Sequence, residues 1–347
     1  MLAVRIHGKL DMRVDDLPPL PDPGPGEVLL RPAMIGICGS DTHRYVEGGM
    51  GKRKILSPHI PGHEFAAVVE AVGPDVTWIA PGARVAVEPA RPCHHCEMCL
   101  QGKHHLCPTL KMLGSYPVPG SLVERMLYPA TRELLIPLPD SMSLEEGAML
   151  EPLGVAMHAL ELRRLRLADD VAVLGSGTIG LLIAQLARLA GASRIICTDP
   201  LDYRLEWAER MGATHVINPK KSDVVKQVQE ITGGRGVDVV YDASAAQKAY
   251  YQAVEIARPG ATFVMVGIPE AADVHLPFTE AWQRELTVIF QKRMNDIYPR
   301  AMKLVSGGQV EVKSMVTHQF PITEAVRAFD VASRYLDGAI KAAVTTE

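Results

Sequence analysis

Four of the six cysteines in this 347-residue chain fall in one stretch, CHHCEMCLQGKHHLC, at Cys93, Cys96, Cys99 and Cys107. The gaps are two, two and seven residues. Two-residue gaps let neighbouring thiolates turn onto one ion. Four thiolates close a tetrahedral zinc site and leave no position for a substrate. Such a site ties down a loop and does no chemistry. The first three cysteines resemble the start of a bacterial iron–sulfur run, with Pro108 after the fourth. Against that, the last gap is seven rather than three, and no ligands for a second cluster follow. Nothing around the stretch suits a redox dithiol. His94, His95, His104 and His105 read as solvated loop residues, since four thiolates complete the sphere.

A second pattern lies in VAVLGSGTIGLLIAQLARLAGASRIICTD, where Gly175, Gly177 and Gly180 follow a strand and open a helix. Such glycines suit a tight turn, close backbone approach to a pyrophosphate, and close helix–strand packing; the helix N-terminus favours the phosphates. Asp199 ends the next strand, at about the ~20-residue offset of a ribose-binding acid. The acid repels a 2′-phosphate, so NAD is expected over NADP, although Arg204 nearby is of the type that accommodates that phosphate. Thr178 and Ile179 at the helix start, Ser244 after a later strand, and Val266 and Gly267 after another complete the cofactor-binding candidates.

The remaining chemical residues are scattered. GICGSDTH holds Cys38, Ser40, Asp41 and His43; PGHEF holds His63 and Glu64; LEPLGVAMHAL holds Glu151. Taken singly, a cysteine between Ile and Gly is a small core hydrophobe, and a His–Glu pair is a surface feature. Their spacing alone joins nothing. Their order, with the cysteine stretch between PGHE and EP and the glycine loop after, resembles the zinc-dependent medium-chain alcohol dehydrogenases over essentially the whole chain. ICGSD, GHE and MLEPL are most similar to the polyol branch, which includes sorbitol dehydrogenase.

The resemblance implies two zinc ions per chain. One is structural, on the four clustered cysteines. The other is catalytic, held by Cys38, His63 and a glutamate. Glu64 is the candidate by position, with Glu151 in or beside the ligand set. Three protein ligands leave the open position that catalytic zinc requires. There zinc acts as a Lewis acid on the alcohol, and hydride passes from the carbinol carbon to the nicotinamide. Ser40 then takes the hydroxyl proton and passes it through the cofactor ribose to His43, whose imidazole accepts a proton near neutral pH. Threonine and glucose dehydrogenases share most of these motifs. Threonine enzymes usually carry Thr where Ser40 stands, which favours a polyol or other secondary alcohol. Tyr45, and Arg293 and Asn295 in FQKRMNDIYPRA, are candidate substrate contacts, the last two with shifted spacing. DASAA departs from the family near Ala245, where a glycine is usual. A zinc-lobed nucleotide-binding protein without catalysis is the rival of another class; retention of Cys38, Ser40, His63 and Glu64 together speaks against it.

The elements that must position these residues differ along the chain. The first part reads as short strands and turns, such as AAVVEAVG and ARVAVEP after the loop PPLPDPGPG. Ser143 and Glu146 form a capping box, and the helix beyond it is expected to break at Glu151-Pro152. After Asp170, continuous apolar strands alternate with helices, the pattern of a parallel sheet covered on both faces. The expected fold is α/β: a doubly wound Rossmann domain at 156–290, inserted in a GroES-like, partly barrel-like, β-rich catalytic domain at 1–155 and 291–347. Hydrophobic residues make up 47% and charged residues 22%, and the net charge is -4. These are globular values, without a bulk electrostatic footprint for nucleic acid. The charged start lacks a signal peptide's apolar core, and Val171–Ala187, broken by three glycines, is short for a membrane span. A soluble cytoplasmic enzyme acting on a small molecule is expected; family members of this kind are commonly homotetramers.

Overall fold

The computed structural model describes residues 1–50, 53–56 and 58–346. The chain divides into two compact units. One comprises Met1–Glu151 together with the C-terminal segment from Tyr298, and the other is Pro152–Ile297.

The first unit is built on a seven-stranded sheet. Its central strands are Glu27–Gly36 and Glu64–Val72, which pair antiparallel with Gly36 opposite Glu64. Lys341–Thr345 pairs with the other side of Glu27–Gly36, placing Ala343 opposite Gly36. The C-terminal strand is therefore stitched beside the N-terminal ones. Alternating apolar residues from these strands, among them Ile35, Phe65, Val85, Leu135 and Val344, bury one continuous core with Phe329. The helix Gly39–Glu47 leaves the end of the Glu27–Gly36 strand after a two-residue link, with Cys38 at its N-cap.

The second unit is a six-stranded parallel sheet. In spatial order its strands are His215–Ile217, Arg194–Thr198, Asp170–Leu174, Val237–Asp242, Ala257–Met265 and Thr287–Phe290. Counted along the unit this is 3-2-1-4-5-6, the doubly wound dinucleotide-binding order. The strand Asp170–Leu174 is fully buried, as the apolar run at 171–174 requires.

The capping box forms: Ser143 N donates to Glu146 Oε2 at 2.6 Å, and Glu146 N to Ser143 Oγ at 3.3 Å. The expected break at Glu151-Pro152 does not occur. The helices are Leu144–Ala148 and Leu150–Leu162, parted at Met149. Pro152 lies in the first turn of the second helix, where its missing N–H has no intrahelical acceptor to lose. No helix among the described residues is long and apolar enough to cross a membrane.

Candidate active site and metal centres

Three donor groups from two elements meet in the first unit. Cys38 caps its helix, Glu64 begins the Glu64–Val72 strand and His63 immediately precedes it; one ligand atom from each lies within 4.8 Å of the others. Gly36 makes room for this. A Cβ there would stand 2.7 Å from Glu64 Oε2, so only glycine opposite Glu64 leaves the carboxylate its place.

Buried charges surround the donors. Asp41, in the first turn of the Cys38 helix, faces His63 Nδ1 at 3.5 Å through Oδ2 and Arg44 Nη1 at 3.3 Å through Oδ1. With Nδ1 turned to Asp41, Nε2 is the ring nitrogen left for a metal, the usual arrangement of a carboxylate behind a histidine ligand. Burial works against ionised Asp41, but His63, Arg44 and the Gly62 N–H hold its pKa below the ordinary value. Burial likewise works against a charged His63, while Asp41 and Cys38 hold its pKa well above the ordinary imidazole value. Lys341 donates to Glu64 Oε2 at 2.6 Å and to the Ile37 carbonyl at 3.1 Å. Burial would neutralise this lysine; Glu64 first, then Cys38, keep its pKa above that of an ordinary ammonium.

These groups fit a divalent cation. With His63 neutral, as a metal-ligating imidazole must be, Cys38, Asp41, Glu64 and Glu151 bring four negative charges when ionised, whereas Arg44 and Lys341 supply two positive ones. A buried imbalance of that size is costly, and a divalent ion among the donors removes it. Glu151 is buried and acts electrostatically on Lys341, but it lies outside the ligand cluster.

The cysteine stretch forms the second cluster. Cys93, Cys96, Cys99 and Cys107 bring their sulfurs within 4.8 Å of one another, Cys93 and Cys99 at 3.9 Å, and all are free thiols. The lobe has little regular structure, only the four-residue helix Glu97–Leu100 and a single turn at His104–Leu106. Backbone N–H groups point at the sulfurs: Cys93 N at Cys107 Sγ and Cys96 N at Cys93 Sγ, both 3.4 Å. The His95 and Cys96 N–H groups lower the Cys93 pKa to about 5, while burial and then Cys96 push Cys99 up to about 12. Crowded sulfurs cannot all ionise without a cation, and a zinc ion lets them do so together. None of the four neighbouring histidines joins the cluster.

In the second unit the glycine loop has the geometry of a nucleotide site. Gly175 has φ +96°, and a Cβ on Gly180 would lie 1.8 Å from the Gly175 carbonyl oxygen. Gly177 caps the helix Thr178–Leu189, so Thr178 and Ile179 occupy its first turn. Asp199 is held by Ser176 N to Oδ2 at 3.0 Å and Leu201 N to Oδ1 at 2.9 Å. Arg204 Nη1 stands 3.7 Å from Asp199 Oδ2. Ser244 Oγ donates to Asp242 Oδ1 at 2.6 Å, and Val266 N and Gly267 N both donate to the Asp242 carbonyl at 2.9 Å, so these three candidates share one anchor. Ala245, where a glycine is usual in the family, has φ +58°, a conformation that glycine adopts without strain.

Three substrate candidates fare differently. Tyr45 is buried, donates to Asp330 Oδ1 at 3.3 Å, and stacks edge-on with Phe329 at 5.8 Å. Its ring completes the core and its hydroxyl is spent on Asp330. Arg293 and Asn295 lie in the second unit, on a segment tied to the Val155 carbonyl by Gln291 Nε2 at 2.7 Å. Sequence reading assigned no role to Arg44 or Lys341; the available signal was a charge inside a buried apolar run, as in AIKAAV.

A glycine loop on a doubly wound sheet and an incomplete metal-donor set have the build of a metal-dependent dehydrogenase. Comparisons with known proteins agree. Residues 24–140 match the alcohol dehydrogenase GroES-like domain and residues 178–307 the zinc-binding dehydrogenase family. The chain is 34% identical over 344 residues to a sorbitol dehydrogenase of Bacillus subtilis (strain 168), covering 99% of this chain and 97% of that protein. An Escherichia coli oxidoreductase of unknown specificity superposes with TM-score 0.92 at 32% identity, covering 99% of this chain and 98% of the other. A zinc-binding dehydrogenase from Sinorhizobium meliloti 1021, bound to NADP, superposes with TM-score 0.88 at 31% identity and the same coverage. The chain belongs to the zinc-dependent medium-chain alcohol dehydrogenases, in their polyol branch.

Proposed function

We propose that this enzyme reversibly oxidises a secondary alcohol of a polyol to a ketone, passing hydride to NAD. The observation that carries the reading is the meeting of Cys38, His63 and Glu64 beside a helix with Ser40 in its first turn. Three donors leave a fourth position for substrate, and a glutamate among them makes the site polar, which suits a polyhydroxylated ligand. A zinc ion held there polarises the substrate oxygen and makes its hydroxyl more acidic. Ser40 Oγ takes that proton. Ser40 and His43 lie three residues apart on one helix and so share a face, which supports His43 as the acceptor beyond the cofactor ribose. Glu151, buried and close enough to act on Lys341, adjusts the charge around the ligands.

For the cofactor, Asp199 supports NAD. Its carboxylate is fixed by two backbone N–H groups and opposes a 2′-phosphate, and Arg204 is engaged with it. Self-association, with a homotetramer as the assembly, is supported by the open edge of the second unit's sheet. Phe290 on that edge strand is 70% exposed, and Phe278 and Trp282 on the nearby helix Phe278–Gln283 are 77% and 69% exposed. A cytoplasmic location accords with the free thiols.

The test is reduced-cofactor formation with NAD and NADP across sugar alcohols, inositols, simple secondary alcohols, threonine and glucose. NADH production from a sugar alcohol is expected. Activity confined to threonine contradicts the polyol reading, and a clear NADP preference contradicts the role of Asp199.

A further inference from the structure

We propose that Arg44 is a positioning residue that fixes the direction in which Ser40 passes the substrate's proton. The inference rests on the dehydrogenase reading above; Arg44 donates to none of Cys38, His63 and Glu64, and is linked to His63 through Asp41. Arg44 is buried, and its guanidinium folds back along its own helix. The two hydrogens of Nη1 are shared among three acceptors, the Ser40 carbonyl at 3.0 Å, Ser40 Oγ at 3.1 Å and Asp41 Oδ1 at 3.3 Å; Nη2 donates to Ser115 Oγ at 3.2 Å. Asp41 neutralises the buried cation, and Ser115 holds it from a different segment.

The bond to Ser40 Oγ carries the argument. A guanidinium only donates and keeps its charge at any pH the protein survives, whereas a hydroxyl has one proton and two lone pairs. Arg44 therefore donates toward one lone pair of Ser40, and while it does so the hydroxyl proton must point elsewhere. What is left is one acceptor position and one donor position. That is the smallest set that relays a proton in one direction. The substrate O–H bond breaks as its proton goes to the remaining Oγ lone pair, and the original Ser40 proton leaves for the next acceptor. Nothing accumulates on Ser40, and the guanidinium stabilises negative charge that develops on Oγ during the exchange. Without Arg44 the hydroxyl is free to rotate, and part of its population points its proton at the substrate oxygen it should be accepting from.

The experiment compares the zinc-loaded wild type with Arg44→Met, Arg44→Lys, Ser40→Ala and the double variant Arg44→Met/Ser40→Ala. Two readouts are taken: sorbitol-dependent NADH formation, and the rate of proton release, followed with a pH indicator, when the protein–NAD complex meets trifluoroethanol, an alcohol that resists oxidation. Zinc content and trifluoroethanol affinity are measured alongside. Arg44→Met is expected to slow proton release at least about tenfold, the worth of one charge-assisted hydrogen bond. Zinc content and affinity should hold. Arg44→Lys, which keeps the charge and one donor, should fold even if Arg44→Met does not, and should fall between the wild type and Ser40→Ala. In the Ser40→Ala background, loss of Arg44 should cost nothing further. Release at the wild-type rate in both Arg44 variants, or an equal loss with and without Ser40, overturns the proposal. Proton release without sorbitol turnover removes the polyol reading and leaves Arg44's role standing. Neither readout in the wild type removes the dehydrogenase reading and this proposal with it.

Discussion

Lys341 is the residue that lets a carboxylate be buried beside a metal site before the metal arrives. Its 2.6 Å bond to Glu64 lies in the core, with the Ile37 carbonyl as second acceptor. Removing one partner of such a pair leaves an uncompensated charge, at a cost of about 3–5 kcal/mol. Lys341→Met should therefore destabilise metal-free protein by about that amount. It should cost clearly less with zinc present, because the ion then serves Glu64. Urea unfolding with and without chelator checks this; equal losses in both states would show that Glu64 does not face the metal. At this scale the sequence was only partly legible. Cys38 is separated from the adjacent His63 and Glu64 by the Gly39–Glu47 helix and the chain after it, and nothing in that spacing joined them; only the resemblance did. Lys341 showed itself solely as a charge within AIKAAV, and the sequence does not say which buried acid receives it. Tyr45 is ambiguous in the sequence because an aromatic beside GSDTH serves a pocket or a core equally well, and Asp330, which accepts its hydroxyl's hydrogen bond, is far away in sequence.

Elements carry the stability of the two clusters differently. The cysteine lobe has one four-residue helix and one turn, too little to hold its shape through backbone bonding alone. Cys99→Ser should remove the zinc of the lobe, lower the melting temperature and leave the Cys38 zinc bound, as metal analysis beside a thermal scan would report; an unchanged melting temperature would deny the lobe its structural role. In the second unit, Asp238 at the start of the Val237–Asp242 strand binds Arg235 at 2.7 Å, Arg258 at 2.7 Å and Asp170 N at 2.9 Å. Burial raises its pKa, but these donors outweigh it and hold the pKa well below the ordinary carboxylate value. A depressed folded pKa means that the stabilisation is full above the unfolded pKa of about 3.9 and is lost as pH falls through the folded value. Asp238→Asn should cost on the order of 2 kcal/mol at pH 7, discounted for the half-exposed Arg235, and the gap should narrow below about pH 4. Urea unfolding at pH 7 and pH 3 measures it; a gap that widens on acidification contradicts the assignment. Elements were the most legible level. Continuous apolar strands announced the parallel sheet, and Ser143 with Glu146 announced a helix start. The helix break was misplaced because a proline in a first turn reads in sequence like a proline that ends a helix.

For the whole molecule, the exposed Phe290 on an edge strand, with Phe278 and Trp282 on the nearby helix, is an apolar surface that a second copy would cover. Phe290→Asp should shift the sedimentation of the protein toward a smaller species, and unchanged sedimentation would place the contact elsewhere. The sequence could not show this, because an edge strand and a central one have the same apolar texture until the order of the sheet is known. The same holds for the two metal centres. The crowded cysteines draw the eye, yet crowding completes a coordination sphere and excludes substrate, whereas the scattered donors leave a position open. The most direct measurement is polyol-dependent NADH formation by Cys38→Ser protein, with zinc counted per chain and folding checked by circular dichroism. The account predicts a folded protein that keeps the zinc of the cysteine lobe, lacks the other and has lost turnover. Turnover retained at the wild-type rate would contradict it.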